Sequence, residues 1–480
     1  MSPRRELLQV GALAVLGSGL YALSFPPFDL TAFAFLAYAP PLAGLVRVQQ
    51  ASSARFLGLL FGTLSHGLVL RWLTSIFGEA AIALWLIFGL LHALAFWALF
   101  SLRARLGVGR MLALAPVLLL GIECFRSEMW FLRFPWATVG HALASDARVA
   151  QCAEWVGVYG LSLLGLGVSA LSAYAMVEPS RRRWGATLCG AGLFLLAHAA
   201  GALRSSAVER ELAALEREAG IAVAVVQYET NQIDDAIRLA AAIPDEVDLA
   251  VFPELGAALI AGRPAHADDP AMAEALASLA RAARATIAIG ATESVESGPG
   301  AFFNTLLVID EEGRVLAHYH KAEPVPLFAD GVRSGATGPV ELAIDGVTTT
   351  VALCICYDFT HPHVTAEALD GATLAIVASG DLASWTWLQH EEHRALARLR
   401  AIEHRRYVVR ATSSGTSHII DPLGHERAHL GFEEEGVAVA RVWTRRGPTL
   451  QSRLGMLLPY TSLIIAIVLL VFSVAPRHAR

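Results

Sequence analysis

The chain has 480 residues, of which 55% are hydrophobic and only 17% are charged, and its mean hydropathy is +0.50. These values lie on the apolar side of an ordinary soluble domain, so part of the chain is expected to lie in lipid. The net charge of −6, with basic clusters only in loops between apolar segments, excludes a nucleic-acid-binding surface, and five cysteines do not form a disulfide framework.

Eight apolar segments are long enough to cross a bilayer, which takes about 20 residues. They cover residues 7–25, 30–46, 56–77, 80–102, 110–125, 155–177, 184–203 and 457–475. The long stretch of mixed composition between the seventh and eighth is large enough for a soluble domain with its own core. We therefore predict membrane helices over residues 1–203, a soluble domain over 204–455, and a last membrane helix with a tail over 456–480.

The arginines predict the orientation, because loops that stay in the cytoplasm accumulate positive charge. With eight crossings, twelve arginines fall on one side of the membrane: Arg4, Arg5, Arg47, Arg55, Arg103, Arg105, Arg110, Arg181, Arg182, Arg183, Arg477 and Arg480. The short loops on the other side contain three: Arg126, Arg133 and Arg148. We expect both termini to be cytoplasmic and the soluble domain to be periplasmic. The start "MSPRRELLQV" also allows a cleaved signal peptide or a twin-arginine signal, but the apolar helices that follow favour a membrane anchor.

The soluble domain alternates short apolar strands with helices. Ser206 and Glu209 have the spacing of a capping box and predict the start of a helical stalk. Strands are predicted at 221–227, 247–253, 285–291, 304–310, 348–356, 372–379, 406–412 and 436–442, and helices at 269–285 and 390–406. Strands that are apolar on both faces and alternate with helices indicate an α/β domain with helix-covered sheets.

Three chemically useful residues stand at the ends of apolar runs that indicate strand ends. Glu254 follows "LAVFP", Cys356 ends "TTTVALCIC", and Lys321, the only lysine among 37 basic residues, follows "RVLAHYH". A cysteine is a strong nucleophile only as its thiolate, which needs a base to take the proton and a cation to stabilise the charge. Glutamate and lysine supply these two groups. Cys354 lies two residues before Cys356, so on one strand the two would face the same side.

In this order and at these separations, the three residues resemble the Glu-Lys-Cys triad of the nitrilase superfamily, whose domain is an αββα sandwich. A domain of this kind before the last of eight membrane helices resembles the apolipoprotein N-acyltransferase family of bacterial inner-membrane enzymes. The resemblance extends to "FPPFDLTAFAFLAYAPPLAGL", "RFPWATVGHAL", "GVYGLSLL" and "QHEEHRALARLRAIEHRRYVVRATSSGTSHIIDPLG".

The resemblance implies acyl transfer in two steps, with Glu254 as base, Cys356 as nucleophile, and Lys321 with the backbone N–H of Tyr357 as oxyanion donors. The donor would be a phospholipid and the acceptor a diacylated apolipoprotein. We expect no metal or organic cofactor and a monomer. Asp330 and Asp358 stand near positions where the family has glutamates, and the tryptophan usual after the first strand is missing. Four apolar residues are expected to line the lipid path: Trp385, Trp387, Leu327 and Phe328.

Other interpretations remain open. "HEEH" at 390–393 resembles a zinc-binding pair of histidines but lacks the H-E-x-x-H spacing. The same triad would also serve a membrane-anchored amidohydrolase that uses water, or an acyltransferase with another acceptor. A non-catalytic scaffold would keep the fold but would not need the single lysine.

Overall fold

The computed structural model describes residues 3–295, 301–332, 338–344 and 347–475. The predicted tail residues Arg477 and Arg480 lie outside these ranges. The chain divides into two compact units, the first formed by Met1–Arg204 and Met456–Arg480 and the second by Ser205–Gly455.

The first unit is helical because its sequence is apolar over long stretches without charges. Its helices are α1 (Pro3–Leu23), α2 (Ala39–Arg47), α3 (Ala51–Val69), α4 (Leu73–Phe77), α5 (Ala81–Leu106), α6 (Val108–Cys124), α7 (Val139–Ala142), α8 (Ala153–Val177) and α9 (Arg182–Leu215), which continues into the second unit.

The second unit contains fourteen strands and five helices within the described residues. In chain order these are β1 (Ile221–Gln227), α10 (Ile233–Ala240), β2 (Leu249–Val251), β3 (Leu259–Ile260), β4 (Arg263–Pro264), α11 (Pro270–Ala283), β5 (Thr286–Ser294), β6 (Phe302–Ile309), β7 (Val315–His320), β8 (Val340–Ile344), β9 (Val347–Ile355), α12 (Pro362–Ala368), β10 (Leu374–Ala378), α13 (Trp387–His404), β11 (Tyr407–Ala411), β12 (Ser417–Ile420), β13 (Glu426–Leu430), β14 (Gly436–Val442) and α14 (Leu450–Leu454). The chain then returns to the first unit as α15 (Leu457–Val474).

Two local predictions differ from the structure. The predicted second membrane helix, 30–46, is broken into a 3-10 turn at Thr31–Phe35 and the nine-residue α2, which begins next to Pro40 and Pro41. Ser206 does not begin a helix but lies inside α9, since the region contains no proline to interrupt the hydrogen-bond ladder.

The spanning helices agree with the predicted membrane domain. Within the described residues, six helical stretches are long and apolar enough to cross a membrane. One of them, Ala51–Leu106, is 56 residues long and contains both α3 and α5.

Contacts within the first unit bring several helix ends together. The guanidinium of Arg103, near the end of α5, donates to the carbonyl oxygens of Leu45 and Val48 at the end of α2, at 2.8 and 2.7 Å. The backbone N–H of Gln49 donates to Glu6 near the start of α1, at 3.1 Å. These contacts place the start of α1 and the ends of α2 and α5 at one end of the helical unit.

Two six-stranded sheets form the second unit, in the orders β14-β1-β2-β5-β6-β7 and β13-β12-β11-β10-β9-β8. The apolar residues between them, from Val223 in β1 to Val409 in β11, form one core. Helices α10 and α11 pack on the outer face of the first sheet, and α12 and α13 on that of the second. The predicted αββα sandwich is confirmed.

Candidate active site

The site forms where strands end. Glu254 follows β2, Lys321 follows β7 directly, and Cys356 follows β9 directly. Strands β2 and β7 belong to the first sheet and β9 to the second, and the three side chains line one cavity of about 180 Å³. The other lining residues are Asn231, Leu255, Val325, Phe328, Ala329, Asp330, Gly380, Leu382 and Trp385.

Lys321 is buried and held by two carboxylates. Its Nζ lies 2.6 Å from Oε1 of Glu254 and 2.7 Å from Oδ2 of Asp330. The side-chain amide of Asn304, in β6, donates to both acids at 2.8 Å. The backbone N–H of Val325 donates to Asp330 at 2.7 Å. Asp330 therefore lies beside the lysine, in direct contact with its ammonium.

The charges in the cavity shift the pKa values of the groups that line it. Burial lowers the pKa of Lys321, but the carboxylates of Glu254 and Asp330 outweigh it, so that pKa lies well above its usual value. Burial raises the pKa of Glu254, and the neighbouring Lys321 counteracts part of this rise. Burial and the charge of Glu254 raise the pKa of the Cys356 thiol well above its usual value. These shifts favour the ammonium form of Lys321 and the neutral thiol form of Cys356 in the resting site.

Cys356 sits in a strained turn. Its φ is +47°, a region that residues with a β carbon rarely adopt. Because of this turn the two cysteines belong to different apolar clusters, Cys356 between the sheets and Cys354 among residues packed against α12 and α13. The sequence-based expectation that both face the same side is wrong, since the regular alternation of a strand stops at Ile355.

Asp358 lies beneath the turn and does not line the cavity. Its carboxylate accepts hydrogen bonds from the backbone N–H groups of Ile355 and Glu323, at 3.1 and 2.7 Å, and from the Tyr319 hydroxyl at 2.9 Å. Burial raises the pKa of Asp358 to about 6, against the opposing effect of Lys321. Asp358 therefore links the end of β9 to the segment after Lys321. Tyr357, beside it, is buried.

A second buried network, which the sequence did not reveal, supports the other side of the cavity. Asp381 is fully buried and accepts hydrogen bonds from Nδ1 of His393, at 2.8 Å, and from the guanidinium of Arg410. Burial raises the pKa of Asp381, but Arg410 and His393 outweigh it and hold that pKa well below its usual value. The preceding residue, Gly380, hydrogen-bonds through its backbone to Cys356, which lowers the pKa of the thiol. A β carbon on Gly380 would lie 2.9 Å from Oε2 of Glu254, so a larger residue there would displace the Glu254 carboxylate.

The four apolar residues expected along the lipid path divide into two pairs. Phe328 and Trp385 line the cavity, and their ring centroids are 5.9 Å apart. Leu327 and Trp387 do not line it within the described residues; their exposed fractions are 83% and 46%. The histidines of "HEEH" also have structural partners: His393 binds Asp381, and His390 contacts the carbonyl of Leu382 at 3.0 Å.

Comparisons with known proteins cover both units. The sequence matches the family described as "Apolipoprotein N-acyltransferase N-terminal domain" over residues 17–171 and the family "Carbon-nitrogen hydrolase" over residues 200–446. It is 25% identical to an apolipoprotein N-acyltransferase of Geobacter metallireducens, covering 94% of this chain and 92% of that protein. It is 27% identical to one of Gloeobacter violaceus, covering 99% of this chain and 98% of that protein. Among solved structures, an amidase from Nesterenkonia sp. AN1, with an acetamide moiety added covalently at its active-site cysteine, is similar at 23% identity and a TM-score of 0.39, covering 47% of this chain and 92% of the amidase.

Proposed function

The chain belongs to the carbon-nitrogen hydrolase family and carries the N-terminal domain of the apolipoprotein N-acyltransferases, and from this we propose that it transfers a fatty acyl chain from a membrane phospholipid to the N-terminal amine of a diacylated lipoprotein. This is the last step of bacterial lipoprotein maturation. The observation that carries the proposal is the buried Glu254-Lys321 pair in the same cavity as Cys356.

In the first step, Glu254 takes the proton of the Cys356 thiol, and the thiolate attacks the carbonyl carbon of a phospholipid acyl ester. The ammonium of Lys321 and the backbone N–H of Tyr357 stabilise the oxyanion, a contribution of about 3–4 kcal/mol for a good donor. The ester C–O bond then breaks, Glu254 returns the proton to the leaving oxygen, and a lysophospholipid departs. The acyl chain remains as a thioester on Cys356.

In the second step, the amine of the diacylglyceryl-cysteine attacks the thioester carbonyl. Glu254 accepts a proton from the amine, the same donors stabilise the oxyanion, and the C–S bond breaks. The Cys356 thiolate leaves and takes the proton from Glu254. The product is an amide, and the site returns to its starting state.

The position of the chain in a membrane suits both substrates, which are lipids with reacting groups at the headgroup level. We place the soluble unit on the periplasmic side of the bacterial inner membrane and both termini in the cytoplasm, as the arginine distribution favours. Phe328 and Trp385 are the apolar groups beside which an acyl chain would approach Cys356.

The test is to trap the acyl-enzyme. The purified protein in detergent is incubated with a phospholipid labelled in one acyl chain, and peptides are analysed by mass spectrometry. We expect the acyl group on Cys356, and its transfer to a diacylated lipopeptide when this acceptor is added. Cys356→Ser removes the sulfur and so abolishes the thioester, and little acyl ester should form on the serine, since its hydroxyl is a poorer nucleophile with this base.

Cys354→Ser is the matched control, because Cys354 is also buried and lies only two residues away. It should retain most of the thioester. An acyl group found on Cys354 would contradict the assigned nucleophile. Release of free fatty acid in place of lipopeptide acylation would instead support the amidohydrolase alternative.

A further inference from the structure

Two histidines and a glutamate meet on the first sheet, away from the cavity. Glu293 lies in β5, and His318 and His320 lie in β7, with β6 between them. His318 and His320 are two residues apart on one strand and point to the same face. Tyr319, between them, points into the core between the sheets, so the histidines lie on the outer face.

The three side chains point at one another. Nε2 of His320 lies 2.6 Å from Oε2 of Glu293, and Nδ1 of His318 lies 3.5 Å from Oε1. One possible ligand atom from each residue lies within 4.8 Å of the other two. The catalytic groups described above take no part in this cluster.

Neighbouring groups hold the cluster in place. The Phe303 ring stacks on that of His320, with centroids 4.1 Å apart and planes at 4°. The Thr305 hydroxyl donates to Oε2 of Glu293 at 3.2 Å. These supports belong to β6, which is paired with both neighbouring strands, so the cluster is built on a hydrogen-bonded sheet and not on loops.

The donor set matches the preference of zinc and similar divalent transition metals. Two imidazoles and one carboxylate, with remaining positions taken by water, are a common ligand set for Zn²⁺, at distances of about 2.0–2.2 Å. The site is open to solvent on one side, since the side chain of His318 is 62% exposed while those of His320 and Glu293 are about one-fifth exposed.

We propose that Glu293, His318 and His320 form a binding site for a divalent transition-metal ion of the Zn²⁺ type. The ion would replace the direct contacts between histidine and glutamate and would connect β5 to the edge strand β7. Because β7 leads directly into Lys321, the ion would also fix the strand end from which the lysine projects.

The test uses full-length protein in detergent without a polyhistidine tag, because a tag would itself bind the added metal ions. The chain has 16 histidines of its own, so variants are needed to locate the site. Co²⁺ is titrated and followed by its visible absorption, and Zn²⁺ is then added in competition. We expect one Co²⁺ per chain, displaced by Zn²⁺, with no charge-transfer band from a thiolate. Zn²⁺ should raise the thermal unfolding midpoint.

His318→Gln and Glu293→Gln should each weaken Co²⁺ binding by about tenfold or more and remove the effect of Zn²⁺ on the unfolding midpoint. His429→Gln is the matched control: His429 is also exposed and has a single carboxylate, Glu426, 3.9 Å away. It should bind as the wild type does.

Two results would overturn the site. One is the absence of saturable binding by the wild type. The other is a thiolate band that disappears in Cys356→Ser, since Cys356, Asp381 and His393 also lie close enough to hold an ion. Unchanged binding in both His318→Gln and Glu293→Gln would lead to the same conclusion.

Discussion

Lys321 combines a compact charge with a fixed position. Its ammonium contacts Glu254 and Asp330 and is almost completely buried, with 1% of its surface exposed. An ammonium is a small point donor, whereas the guanidinium of arginine is a planar fork. We expect this difference to be the reason that a chain with 36 arginines among its 37 basic residues retains one lysine.

The first prediction concerns this geometry. Lys321→Arg keeps the charge but moves the donors, and a displacement of about 1 Å can cost about 100-fold in rate. Lys321→Met should lose more, because the Cys356 thiolate would also lose its nearby cation. The measurement is acylation of a diacylated lipopeptide, together with alkylation of Cys356 as a function of pH.

The unfolding temperature of each variant serves as the control for folding. An arginine variant that turns over like the wild type would show that the single lysine has no special geometric role.

A second prediction follows from the pKa of Asp358, which is about 6 in the folded chain, against about 3.9 for an unperturbed aspartate. The folded state therefore binds more protons, so the stability this group contributes is present below about pH 4 and is lost as the pH rises through 6. Asp358→Asn has no such titration. Relative to this variant, the wild type should lose about 2 kcal/mol between pH 4 and 6 and change little above pH 7.

Thermal unfolding of both proteins from pH 4 to 8 measures this difference. A constant gap between their midpoints would mean that Asp358 is not protonated in the folded chain at pH 5.

At the residue scale, the reactive residues at strand ends could be predicted from the sequence, but the residues that hydrogen-bond to them could not. Glu254, Lys321 and Cys356 stand out because reactive side chains follow apolar runs. Asn304 reaches Glu254 over 50 positions in the chain, and Arg410 reaches Asp381 over 29. Such pairings depend on how the strands are arranged, which the local pattern does not determine.

Among the elements, the segment between β10 and α13 supports the cavity most directly. Asp381 holds it through His393 and Arg410, and the carbonyls of Gly380 and Asp381 accept hydrogen bonds from the Ser413 hydroxyl. The backbone N–H of Glu254 donates to Ser379 at 3.3 Å. One short segment thus contacts both Glu254 and Cys356.

The third prediction concerns this segment. Asp381→Asn leaves the buried guanidinium of Arg410 without its charged partner, and breaking such a pair costs about 3–5 kcal/mol. We expect a clear fall in the unfolding midpoint and slower alkylation of Cys356. Glu435→Gln, which removes an exposed ion pair with Arg238, is the control and should change stability by less than about 1 kcal/mol. If Asp381→Asn and Glu435→Gln lowered the unfolding midpoint equally, the buried network around Asp381 would not stabilise the fold as we expect.

The strands that the sequence predicted are mostly those inside the sheets. All eight occur; β1 and β14 have the predicted bounds, and the other six have altered ends. Polar edge strands were missed, among them β8 and β13, because each has exposed residues along one side and lacks a continuous apolar run. The short helices α10 and α12 were missed because they are too short for a clear period of 3.6 residues.

For the whole molecule, the arrangement of helix ends bears on orientation. The ends of α2 and α5 and the start of α1 lie together. Arg105 donates to the carbonyl of Ala475, which places the end of α15 there as well. The chain leaves this end along α1 and is back at it by the end of α2. Segment 30–47 as a whole must therefore make the return, although α2 alone is too short to span a bilayer.

The fourth prediction is that this end faces the cytoplasm. A reporter active only in the cytoplasm should work when fused after Arg183 and after Arg480, and should be silent when inserted near Val295. The twelve-to-three distribution of arginines supports this orientation. Reporter activity at Val295 would show that the orientation is the opposite one. In that orientation the soluble unit would have no access to lipoprotein substrates on the outer side.

The helical unit is discontinuous in sequence, and this has a consequence for its biosynthesis. Helix α15 packs so closely on α6 that a side chain at Gly121 would collide with Ala466 and the carbonyl of Ser462. The 251 residues of Ser205–Gly455 are translated before α15 emerges, which takes roughly 13–50 s at about 5–20 residues per second. During that interval the face of α6 around Gly121 lacks the α15 residues that cover it in the folded chain. Lipid or another membrane protein must cover it until translation is complete.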